Sequence, residues 1–182
     1  NMGSAFRDFA KLYDSKLKAD VPVHENSRLW WSYLLQQLAF AMMPQDQPEG
    51  LRLSISKSEA EDILTKFLDK EKFDKPRDYA KHWLDDLLKH HLIQPKILGA
   101  DEEIEFRHQL IQEYYAAEYL FRLLPSLTEA KLQKSYLNYL DWTESLALMM
   151  DLVEDSDRAL RVVGLALEVD LQLGARLAGA LK

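Results

Sequence analysis

The chain has 182 residues, 47% of them hydrophobic and 29% charged, with a net charge of −7. That composition fits an ordinary soluble globular protein of one medium domain or two small ones. Six glycines and six prolines favour long helices over turn-rich β structure, and the absence of cysteine excludes disulfides, thiolate metal sites and cysteine nucleophiles.

The acidic balance argues against nucleic-acid binding, which usually needs surplus cations to displace counterions from phosphates. No apolar run approaches the ~20 residues that span a bilayer. No signal peptide is apparent, and Asn1 to Ser4 reads as a cloning remnant or an internal cut. These features predict a soluble, cytoplasmic piece of something longer, with no membrane partner.

In chain order, Phe6, Phe9, Ala10, Tyr13 and Leu17 fall at helical spacing, followed by a connector from Lys18 to Asn26. Asn26 or Ser27 is placed to cap a helix from about Arg28 to Met43, which Pro44 stops. That helix is apolar on nearly every side, so it is expected to be buried between several neighbours. Leu51, Leu53 and Ile55 alternate with polar residues as in a short half-buried strand. Ser56-Lys-Ser-Glu59 is a capping-box pattern that opens a helix to about Leu68. Pro76 suits the first turn of the next, which runs to about His91 with Tyr79, Ala80, Trp83, Leu84, Leu87 and Leu88 as its apolar positions.

Leu92 to Leu98, a turn at Gly99 to Glu102, and the alternation of Ile104 and Phe106 read as a β-hairpin. Helix, short strand, helix, helix, hairpin is the order of a winged helix, a three-helix core closed by a small sheet. Beyond it the pattern is entirely helical. Gln109 to Leu124 carries Leu110, Tyr114, Ala117, Phe121 and Leu124 on one stripe. Ser126-Leu-Thr-Glu129 and Asp141-Trp-Thr-Glu144 resemble further caps, opening helices to about Leu140 and Val153. Helices over Arg158 to Val169 and Leu171 to Leu181 follow. The fold class expected is mainly α: an N-terminal helix and connector over 1–27, a winged-helix domain over 28–108, and a HEAT-like helical array beginning within 109–182.

No phosphate-cradling glycine loop, H-E-x-x-H motif or G-x-S-x-G elbow is present, so no catalytic residue and no metal ligand is assigned. His90 and His91 are adjacent on a helix and diverge by about 100°, which prevents simple chelation. His82, eight positions before His90 and spaced to share its face, has no carboxylate at clear ligand spacing, and His24 sits in a connector with no visible role. Asp101, Glu102, Glu103 and Glu105 read as a solvated acidic hairpin tip. Together with Asp78, Asp85 and Asp86, which offset Arg77, Lys81 and Lys89, they make a DNA-reading role poor. Trp30, Trp31, Trp83 and Trp142 read as packing residues.

The most specific signal is Phe106-Arg-His-Gln-Leu-Ile-Gln-Glu-Tyr-Tyr-Ala-Ala-Glu118. It resembles the F-x-H-x-x-x-Q-E-[YF]-[YF]-A-A motif of NACHT-type STAND NTPases, where the winged-helix domain closes and the next helical domain opens. Leu38-Ala39 with Met42-Met43, and Trp142-Thr-Glu144, resemble weaker family features on either side. The resemblance implies a regulatory, conformational-switch segment of a signalling or defence ATPase. It implies that His108 contacts the β-phosphate of bound ADP in the intact protein. It also implies that ADP or ATP with Mg²⁺ binds an NTPase core upstream, and that a repeat sensor lies downstream. No cofactor is expected in this chain by itself. Competing readings are a freestanding helical adaptor that binds proteins through its Trp- and Leu-rich faces and, less favoured, a DNA-binding winged-helix regulator.

Overall fold

A computed structural model describes residues 2, 5–9, 12, 22–44, 50–90, 93–98 and 101–181. The N-terminal helix predicted from Phe6 falls within these residues at 6–9 and 12, all helical. The rest of that helix, the first part of the connector, most of the loop before Gly50, His91 and the turn at 99–100 lie outside the described residues.

Chain order gives α1 (Ser27–Met42), β1 (Ser54–Ser56), α2 (Lys57–Lys70), α3 (Pro76–Lys89), β2 (Ile93–Leu98), β3 (Asp101–Phe106) and α4 (Gln109–Leu123). A 3₁₀ turn (Leu124–Ser126), α5 (Glu129–Leu132) continuing as a π-helical stretch (Gln133–Leu137), and a second 3₁₀ turn (Leu140–Trp142) follow. The chain closes with α6 (Thr143–Met150), α7 (Ser156–Val169) and α8 (Leu171–Gly179). The protein is thus mainly helical, with one small three-stranded antiparallel sheet.

The sheet has the order β1-β3-β2, so the predicted hairpin forms and β1 joins its second strand. Pairing sets Ile55 opposite Ile104 and Ile93 opposite Phe106, and all four are buried. The alternate positions put Glu103 and Glu105 on the other face. Pro95 sits in an edge strand, where a missing N–H is tolerated. The strand expected from Leu51 is shorter than its alternation suggested. Arg52 N–H instead donates to the Met42 carbonyl at 2.9 Å, satisfying the end of α1.

Several caps differ from expectation. Ser56 does accept from Glu59 N–H at 3.1 Å. Asn26, however, has a left-handed φ of 61° and makes no side-chain cap. Ser27 is already helical and spends its hydroxyl on Trp31 Nε1 at 2.8 Å. Thr128, not Ser126, caps α5 through Lys131 N–H. Pro125 belongs to the 3₁₀ turn before it, where Ser126 Oγ donates to the Leu123 carbonyl. Asp141 does not cap α6; it accepts from Leu51 N–H at 3.2 Å, ninety residues back. Asp155 and Asp170 cap α7 and α8.

Helix α4 lies at the centre. Its buried positions are Gln112 to Ala117 and Leu120, which wrap around the helix, whereas one stripe was expected. It packs against α1 on one side and α6 on another. Trp142, fully buried, sits against Phe40 and Tyr136 and donates from Nε1 to the Pro44 carbonyl at 2.8 Å. Truncating such an indole costs about 3–5 kcal/mol. An exposed ion pair such as Arg176 with Glu144 contributes less than about 1 kcal/mol. Trp142 therefore ties the C-terminal helices to the end of α1 more strongly than the Arg176–Glu144 pair ties α8 to α6.

Helices α7 and α8 meet at Gly174, where an added Cβ would lie 3.0 Å from Leu167 Cα and closer still to its Cγ. Gly164, on α7, has open space around it. Gly174→Ala should therefore lower stability by about 1–3 kcal/mol. Gly164→Ala should raise it by roughly 0.5–1 kcal/mol through helix propensity. Urea unfolding midpoints at unchanged slope measure both, and equal effects of the two substitutions would contradict this packing.

Candidate functional site

The Phe106–Glu118 stretch covers the end of β3 and most of α4, and most of its buried positions have a traceable job. Phe106 is buried in the sheet and lies 6.3 Å, centroid to centroid, from Tyr115. Gln112, 1% exposed, donates its amide to the Arg52 carbonyl at 3.0 Å. The Glu113 carbonyl accepts from Ser145 Oγ of α6 at 3.0 Å. Ala116 and Ala117 are fully buried. With methyl side chains they let neighbouring backbones come close, since helix separation depends on side-chain size at the contact.

Arg52 turns this stretch into a three-way joint. Its guanidinium donates to the Ala41 carbonyl at the end of α1 and to Glu59 in the first turn of α2, at 2.9 and 2.7 Å. A cation at a helix C-terminus and a carboxylate at a helix N-terminus both complement the helix dipoles. Its own carbonyl receives Gln112, so α1, α2 and α4 meet at one residue.

Glu118 holds the N-terminal segment. Arg7 forms a two-pronged pair with it at 2.9 and 3.0 Å, and Tyr114 donates its hydroxyl to the same carboxylate at 2.6 Å. Phe6 stacks on Tyr114 at 5.6 Å, and the Arg7 guanidinium lies over Phe121. The pairing with Glu118 raises the Arg7 pKa. Burial, reinforced by the Glu118 carboxylate, pushes the Tyr114 hydroxyl far above the ordinary tyrosine range, so it remains a donor.

His108 occupies the N-cap position of α4 in extended backbone, with φ −142° and ψ 138°. Its carbonyl accepts from Ile111 N–H at 3.0 Å, but its side chain makes no cap bond. The imidazole is exposed, and so is the neighbouring Arg107. Where the other marked positions of the motif face inward, His108 faces solvent at the positive end of a helix. An imidazole there can donate a hydrogen bond to an anion.

His24, His82 and His90 make packing contacts. His90 is buried against Trp31 at 4.8 Å, whereas His82 is exposed, so the two do not share a face as their spacing suggested. His24, which had no visible role in the sequence, stacks on His82 at 4.5 Å. It also binds the fully buried Asp86 through its backbone N–H at 2.9 Å and its ring Nδ1 at 3.0 Å. Among the described residues no group of three or more His, Asp or Glu is placed to hold a metal ion.

The acidic hairpin is more engaged than a solvated tip. Glu102 and Asp85 flank Lys57, Glu103 accepts from Ser54 Oγ, and Glu105 binds Gln94 and Lys96. Hydrogen bonding from Gln94 lowers the Glu105 pKa. Trp31, Trp83 and Trp142 are core residues, and Trp30 is half-buried against Phe67, Phe73 and Trp83. Sequence reasoning missed Arg52 and Arg7 and read Asp86 as one of the offsetting charges, whereas it is fully buried on His24; each has a partner far away in the chain that carries no local pattern.

Glu113 provides a titratable probe of the joint. Burial raises its carboxyl pKa, while Gln109, donating at 2.8 Å, opposes the shift. Between the unfolded pKa and the higher folded one, the folded chain therefore holds a proton that the unfolded chain releases. Stability from this group is complete below the unfolded carboxylate pKa of about 4.3 and is lost as pH rises through the higher folded value. Glu113→Gln keeps an acceptor for Gln109 and removes the charge. Its stability relative to wild type, from denaturant unfolding, should rise between about pH 4 and about pH 7. A relative stability that falls over this interval would contradict the burial of an ionisable carboxyl here.

No family model, no curated protein and no solved structure matches the chain.

Proposed function

We propose that this chain is the regulatory segment of a NACHT-type STAND NTPase, joining a nucleotide-binding core upstream to a sensor downstream. In this reading residues 28–108 are its winged-helix domain, and 109–182 begin a HEAT-like helical array. The observation that carries the proposal is the arrangement of the Phe106–Glu118 motif. Gln112 to Ala117 are buried, with Gln112 bonded to the Arg52 carbonyl and the Glu113 carbonyl to Ser145 of α6, while His108 is left exposed at the start of α4. Packing alone accounts for the inward residues and gives His108 no side-chain cap to make. Support also comes from the element order and from β1 pairing with the hairpin, an arrangement that a winged helix shares.

The chain's own contribution is to orient one donor and relay its position. His108 would offer a ring N–H to a phosphate oxygen of ADP, and the positive end of α4 favours the same charge. The nucleotide, when bound, supplies the phosphate charge that this donor reads. Mg²⁺ would belong to carboxylates of the upstream core. A shift of His108 is carried by α4 to Arg52 through Gln112, and to α6 through the Ser145–Glu113 contact. A switch needs such an element, whose position two ligand states bias differently. In this reading the parent protein is cytoplasmic. Among the described residues no helix is long and apolar enough to cross a membrane.

His108→Ala in the intact protein should weaken ADP retention about tenfold or more, the worth of one hydrogen bond to a charged group. It should raise basal activity at the same time. Nucleotide-release kinetics measure the first effect, and unchanged ADP affinity with unchanged basal activity would overturn the reading.

A further inference from the structure

A groove runs along the exposed side of α1, between α2 and the C-terminal end of α4. It consists of two adjoining hollows that share Phe67, Glu71 and Arg122. One, of about 410 Å³, opens between Lys66 and Lys70 of α2 and Tyr119 of α4. The other, of about 490 Å³, is floored by Leu29, Trp30 and Tyr33 of α1. Leu29 is 73% exposed and Tyr33 40%, so large apolar side chains are presented at one end.

Cations dominate the other end. Lys66 and Lys70 lie one turn apart on α2, both exposed, and neither forms an ion pair with a described residue. Arg122 is fixed between the hollows. Its Nη1 donates to Gln36 Oε1 at 2.7 Å, and its guanidinium lies 4.7 Å from the centre of the Tyr33 ring. The groove therefore shows three cations and one carboxylate on a chain whose net charge is −7. Local charge opposite to the whole, beside an apolar shelf, selects for an occupant that is itself acidic and amphipathic.

We infer that this groove docks a short acidic protein segment. One large apolar side chain seats on Leu29, Trp30 and Tyr33, and carboxylates face Lys66, Lys70 and Arg122. From Leu29 to Gln37 the floor is about 12 Å long at 1.5 Å per residue, enough for roughly two turns of a bound helix. A single-stranded nucleic acid could also stack on aromatic rings, but it would bring a continuous row of phosphates to an acidic protein with few cations to neutralise them. The peptide is the better match. His108 and Arg122 are about 21 Å apart along α4, so the groove is separate from the proposed nucleotide contact.

Selection of a random-peptide display library on the 182-residue chain tests the inference. Enriched peptides should be net acidic and carry Trp, Phe or Leu. In fluorescence anisotropy, the most enriched one should lose about tenfold or more in affinity with Lys66→Glu/Lys70→Glu. It should lose affinity comparably with Tyr33→Ala. Both lysines are exposed and form no ion pair among the described residues, so the double variant should retain its circular dichroism and unfolding midpoint; a variant that did not would be replaced by Lys66→Gln/Lys70→Gln, expected to weaken binding in the same direction. Enrichment of neutral or basic peptides, no enrichment, or affinity indifferent to these substitutions would overturn the inference. So would a short oligo-dT strand that displaces the peptide and binds more tightly than it.

Discussion

Helix α4 is buried around most of its circumference, and the surrounding elements are arranged to accept it. Six consecutive residues, Gln112 to Ala117, are inside. A helix surrounded in this way would ordinarily be wholly apolar. Here four of the six carry polar groups, among them Gln112 on the Arg52 carbonyl, Glu113 on Gln109 and Tyr114 on Glu118. Leaving one such group unpaired would cost about 1–3 kcal/mol. These bonds have directions as well as energies, so they fix the rotation and height of α4 against its neighbours, which apolar contact alone does less sharply.

From that placement the two ends of the protein become one body. The sheet side is attached where Phe106 meets Tyr115 and where Arg52 gathers α1, α2 and α4. The C-terminal helices are attached through the Ser145 hydroxyl on the α4 backbone and through Trp142, whose indole reaches the chain just beyond α1. The N-terminal segment is laid on α4 by Arg7 and Phe6. A displacement at the start of α4 would have to be accommodated at these contacts. That mechanical property underlies the proposed switch, and it follows from packing and hydrogen bonds without reference to any ligand.

Much of this was legible in the sequence wherever the cause is local. Pro76, the Ser56 capping box and the alternation of Ile104 and Phe106 mark elements within a few residues of where they form. Local signals failed where distant groups compete for the same atoms. Asp141 looks like a helix cap but gives its oxygen to Leu51, and Ser27 gives its hydroxyl to Trp31. His24 could not be placed because Asp86, its partner, is sixty-two residues away. At the candidate site, His108 was identified from its motif and its exposure is a structural finding. The Arg52 joint and the Arg7–Glu118 clamp had no sequence signature, since each is a single charged residue meeting a carbonyl or carboxylate from another part of the chain.

The central claim is that α4 holds the sheet side and the C-terminal helices in one cooperative unit. Native-state hydrogen exchange across a denaturant series measures this directly. Amides of α4, α1 and α6 should be among the slowest and should merge into one opening whose free energy matches global unfolding. If α6 to α8 exchanged through a separate, lower-energy opening while α1 and α4 stayed protected, the claim would be wrong.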